Sequence, residues 1–115
     1  MSDYKTTLPE GFRFHHVGVP VSTPVPNMRY IPHLKFSVTG YDSSPFKYEW
    51  MYFDDDCPLP EVVKTKPHLC FEVDDLDAAI KGYEILIAPT SPVPELRVAF
   101  ILHDGAPIEL LEIVG

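Results

Sequence analysis

Proline sets the tightest limit on what this chain can fold into. Thirteen prolines fall within 115 residues, with clusters at Pro24, Pro26 and Pro32, at Pro58 and Pro60, and at Pro89, Pro92 and Pro94, and with Pro107 near the end. Each removes a backbone donor and clashes with the preceding helical turn. Long helices are therefore disfavoured outside residues 75–82, and short strands with stiff connections remain.

The exception sits inside residues 66–82, KPHLCFEVDDLDAAIKG. His68, Cys70 and Glu72 alternate there with Leu69, Phe71 and Val73, the period of a strand. The pattern then changes to helical spacing at Leu76, Ala79 and Ile80, with Asp74 or Asp75 as N-cap and Gly82 as stop. A strand with a histidine on its polar face runs straight into a capped helix, which begins a βα unit.

The flanking chain reads mostly as strands. Residues 1–11 form a loose arm with a turn at Pro9 and Gly11. Residues 12–21, FRFHHVGVPV, alternate as a strand, with Phe14, His16 and Gly18 on one face and His15, Val17, Val19 and Val21 on the other. A glycine inside a strand marks a close approach of backbone or ligand. Residues 22–32 are irregular, and residues 34–39 form a strand. Residues 40–45, GYDSSP, are a turn. Residues 46–53, FKYEWMYF, form an aromatic strand with Tyr48, Trp50 and Tyr52 on one face and Lys47, Glu49 and Met51 on the other, Tyr48 and Trp50 reading as core-facing. Residues 54–66 are a connector whose three aspartates mark a solvated strand end, since they lack EF-hand spacing. After the βα unit come strands over 84–88, 97–102 and 106–114, with a stiff loop at 89–94 and a hairpin at His103-Asp104-Gly105.

The length suits one domain, residues 1–115. A net charge of −8 argues against nucleic acid or an anionic membrane as partner. No apolar run is long enough to span a bilayer. Cys57 and Cys70 lack CxxC partners, and no secretory signal is apparent, so free thiols in the cytoplasm are expected.

The two halves echo one another. FHHVGVPV and PHLCFEV each carry a histidine on an opening strand, and KYEWMYF and PIELLEI each carry a glutamate on a closing one. The second half reads β-α-β-β-β. The first, residues 12–53, has the proline-rich 22–32 segment in place of the helix, and the second module covers residues 67–114. This pattern resembles the vicinal oxygen chelate superfamily, the glyoxalase, bleomycin-resistance and extradiol-dioxygenase group. PHLCFEVDDLDAA is similar to that family's second-module start, APIELLEIV to its end, and FHHVGVPV to its first strand.

The resemblance implies an α+β fold of two βαβββ-type modules, forming a curved mixed sheet around a cleft, with the first module reduced and lacking its helix. It implies metal ligands at His16, Glu49, His68 and Glu109. Strand alternation supports the set, because each is the polar residue turned away from its strand's apolar face. Two imidazoles and two carboxylates suit Zn, Ni, Co, Mn or Fe. The implied activity is a divalent-metal-dependent, glyoxalase-like isomerase or lyase acting on a small α-keto or α-hydroxy carbonyl compound. It would work through metal-stabilised enolate chemistry, with Glu49 or Glu109 as the catalytic base. The rival reading is a metal-free small-ligand-binding module of the bleomycin-resistance type.

The remaining titratable residues receive structural roles. His15, facing away, is structural or interfacial, while His33 and His103 lie in irregular or exposed positions. Glu72 shares the polar face of His68 and is a candidate cleft residue, and Glu112 has the opposite parity from Glu109. No basic cluster suited to glutathione is present, since Arg29, Lys35 and Arg97 are scattered. A homodimer is expected, because a missing helix leaves one sheet face uncovered.

Overall fold

The computed structural model describes residues 7–115. Of the arm expected over 1–11, residues 1–6 lie outside the described residues. Eight strands form one mixed sheet: β1 (Arg13–Pro20), β2 (Arg29–Ile31), β3 (Phe36–Thr39), β4 (Tyr48–Phe53), β5 (His68–Glu72), β6 (Glu84–Thr90), β7 (Leu96–His103) and β8 (Ala106–Ile113). Two short helices accompany them, α1 (Glu61–Thr65) and α2 (Leu76–Ala79).

The strand order is β2-β3-β4-β1-β5-β8-β7-β6. In each half the opening strand pairs in parallel with the closing one, β1 with β4 and β5 with β8. The halves join through the antiparallel β1–β5 seam. No helix lies between β1 and β2. The fold is thus the reduced two-module curved sheet expected. Its two ends curl toward each other: Val93, between β6 and β7, packs on Ile31, Phe36 and Met51 of β2, β3 and β4.

The alternating residues of β5, β7 and β8 divide two layers. Phe71, Val73, Ala99 and Leu110 face outward and are covered by Leu76 of α2. Full burial of a leucine contributes about 2 kcal/mol, which offsets part of the nucleation cost of so short a helix. Asp75 accepts from Ala78 N at 3.1 Å, and Glu112 Oε1 accepts from Leu76 N at 3.0 Å. Glu112, on the parity opposite to Glu109, therefore serves as a second cap. Gly82, with φ of 85°, ends the segment. The hairpin at Asp104 and Gly105 has φ of 51° and 81°, the sign pattern of a type I′ turn.

Several expectations are corrected. Residues 22–32 end in β2, which pairs with β3. The 54–66 connector contains α1, whose Val63 is fully buried. The helix read over 75–82 is a single turn, Leu76–Ala79, continued by a turn over residues 80–82 that keeps Ile80 packed against the Leu76 cluster. Tyr48 and Trp50 do not face the core as expected: Tyr48 is 42% exposed and Trp50 is half-buried. Their face is the outer one, and in the first half no helix covers it.

Candidate metal centre

The four residues singled out in the sequence lie on β4, β1, β5 and β8, the four central neighbours of the sheet. Register explains how they meet. Gly18 pairs with both Glu49 and His68, and Cys70 pairs with both His16 and Glu109. The two rows are adjacent on the concave face.

His16, His68 and Glu109 are buried, and their nearest ligand atoms lie within 4.8 Å of one another. His68 Nε2 is 3.0 Å from Glu109 Oε1. His16 Nε2 lies 3.3 Å from Glu49 Oε1 and 3.4 Å from Glu109 Oε1, yet it has no hydrogen-bond partner. Glu49 thus stands beside His16, outside the tight trio.

Gly18 makes the arrangement possible. A Cβ built there would sit 2.3 Å from His68 Cε1 and 2.6 Å from His68 Nε2. The ring is confined on its other side by Phe100, with centroids 4.8 Å apart. The close approach marked by a glycine within a strand is that of an imidazole.

His15 is a correction. Strict alternation turns it away from His16, but a bulge between Phe14 and His16 shifts the register of β1 against β5. A bulge brings two successive side chains to one face. Phe14 consequently turns outward against Phe71, with ring centroids 6.4 Å apart, and His15 turns inward. His15 Nδ1 is 2.9 Å from His16 Nδ1, and its ring stacks on Tyr41 at 4.5 Å with an interplanar angle of 6°. Both His15 and Tyr41 line the cavity. Period-two spacing carries no signal for this. Glu72, a candidate cleft residue, instead meets Arg13 at 3.2 Å. His33 Nε2 bonds Ser91 O at 2.9 Å, and His103 is exposed.

Burial would raise Glu109, but His16 and His68 outweigh it and hold the carboxyl well below its usual range. His16 is raised above its ordinary value, since Glu109 and Glu49 outweigh burial. Burial raises Glu49, with His16 opposing. Burial also pushes the Cys70 thiol far up, helped by Glu109, so Cys70 is a neutral thiol even though it lies near His15 and His16. Both cysteines are free.

His16, Glu49 and Glu109 line a cavity of about 680 Å³, walled also by Phe36, Met51, Leu59, Val63, Val93 and Phe100 among others, while His68 is buried behind Glu109. Leu59 and Val63 come from the connector, which closes one side. The donor set fits a divalent cation: two imidazoles, a buried carboxylate, and an unpartnered buried nitrogen turned toward them. His15 at Nδ1 of His16 supplies the outer partner that fixes a ligating ring's tautomer.

No protein-family model matches the sequence, and no curated protein matches it. The structure is similar to the crystal structure of methylmalonyl-CoA epimerase from Mycobacterium tuberculosis, with a TM-score of 0.61 and 19% identity over 97% of this chain and 93% of that chain. At this identity the likeness is one of fold. Among the described residues, no helix is long and apolar enough to cross a membrane.

Proposed function

We propose that the protein is a divalent-metal-dependent isomerase of glyoxalase-like architecture, moving a proton at the carbon beside the carbonyl of a small substrate. The observation that carries this is the convergence of His16, His68 and Glu109, with Glu49 alongside, where His16, Glu49 and Glu109 line a substrate-sized cavity and His68 reaches it through Glu109. His16, His68 and Glu109 would hold the cation, with Glu49 at its edge. A bound cation supplies Lewis-acid polarisation of a carbonyl oxygen.

The chain's own residues divide the remaining work. Glu109, held low by both imidazoles, is a poor proton acceptor and serves as a fixed anionic ligand. Glu49, raised by burial and only partly enclosed, is the better base for the substrate proton. Apolar walls keep water from the exposed carbanion site. The fold likeness to an epimerase supports isomerisation over the lyase alternative. The apolar cavity also suits the second reading, a metal-free ligand-binding module.

The test is metal content of purified protein, followed by exchange of α-protons for deuterium in small keto and hydroxy acids, observed by NMR. Glu49→Gln is expected to retain metal and lose exchange, and His68→Ala to lose both. Absence of any bound transition metal, with no melting shift on adding one, would overturn the enzyme reading in favour of the binding module.

A further inference from the structure

The chain has three arginines, and two of them are fully engaged. Arg13 meets Glu72 at 3.2 Å and Asp74 at 3.0 Å, and Arg97 meets Asp77 at 3.1 Å and Glu112 at 3.5 Å. Among the described residues, Arg29 forms no ion pair, in a chain carrying 17 acidic residues. It is also the only arginine or lysine among the residues lining the cavity.

Register places Arg29 relative to the metal centre. Arg29 pairs with Val38, and Val38 with Met51, two residues along β4 from Glu49. Two strand spacings and two residues of rise put the Arg29 and Glu49 Cα atoms about 12 Å apart along the sheet. Ile31, Phe36, Val38 and Met51 pave the cavity near this path, so the space between the charged centre and the lone cation is apolar.

We propose that the cavity takes an amphiphilic monocarboxylate, with its carbonyl end at the His/Glu floor, an apolar segment of several carbons across β3 and β4, and its carboxylate on Arg29. A planar guanidinium grips a carboxylate through two parallel N–H···O bonds. Arg29 is exposed, so the pair forms at the wet mouth without a large desolvation cost. A phosphate monoester fits less well. Its second negative charge has no second cation in the lining, and Asp42 and Glu95 share that lining. The choice of reacting end rests on the isomerase reading, whereas the Arg29 contact does not.

Calorimetric titration with 5-oxohexanoate and its uncharged methyl ester tests this, in metal-loaded and in chelator-treated protein. Arg29→Met is expected to weaken the acid at least tenfold while leaving the ester unchanged, with Arg29→Lys between. Lys81→Met, on the far side, should alter neither. The inference is overturned if the acid does not bind, or if acid and ester bind alike. It is also overturned if Arg29→Met weakens both equally, if His68→Ala rather than Arg29→Met abolishes the charge preference, or if pentyl phosphate binds more tightly than the acid. Arg29-dependent acid binding in chelated protein, without any proton exchange, would uphold this contact and defeat the isomerase. Proton exchange with no effect of Arg29→Met would do the reverse.

Discussion

Gly18 shows how one missing side chain organises a site. It is the common register partner of Glu49 and His68, and the His68 ring occupies the volume its Cβ would take. With Phe100 behind that ring, Gly18→Ala is expected to displace His68, cost about 1–3 kcal/mol of stability, and weaken metal binding. Thermal melts with and without added metal check both effects. Glu109 offers a second measurement. Its folded-state pKa lies below its unfolded value, because the two imidazoles outweigh burial. Such a carboxylate stabilises the fold above the unfolded value and loses that contribution as pH falls through the folded one. In chelated protein the melting temperature is therefore expected to start falling as pH drops below the unfolded glutamate value near 4.3, to go on falling toward the folded value, and to fall less steeply in Glu109→Gln. Parallel curves for the two proteins would remove the pairing.

At the scale of elements, sequence periodicity located almost every strand, and the prolines of 22–32 correctly removed the first helix. Parity also placed His16, Glu49, His68 and Glu109 on one face. Two things escaped it, for physical reasons. Alternation assumes an unbroken register, so the bulge in β1 hid the inward turn of His15 and the outward turn of Phe14. An apolar face is a buried face only where another layer covers it. The chemistry of Tyr48 and Trp50 suits a core, but the covering helix is missing on their side and the buried side of β4 is the one bearing Glu49 and Met51. The wall supplied by Leu59 and Val63 of the connector was equally invisible, since five helical residues between prolines give too short a pattern to read.

For the whole molecule, the uncovered outer face gives the homodimer expectation its physical basis. Tyr48, Val17 and Leu69 form one row across β4, β1 and β5. Tyr48 is 42% exposed, Leu69 43%, and nearby Phe46 71%, whereas α2 covers the equivalent face of the second half. A second copy seated there would give, by light scattering on a sizing column, about twice the 13.0 kDa chain mass; a single chain mass would set the dimer aside. The pairing of opening with closing strands has a consequence for how the molecule comes into being. Parallel neighbours cannot be made by a tight turn, so β1 must wait for β4 and β5 for β8. The concave face that brings His16, Glu49, His68 and Glu109 together is then among the last surfaces to assemble, and a nascent chain cannot sequester a cation there until both halves are complete.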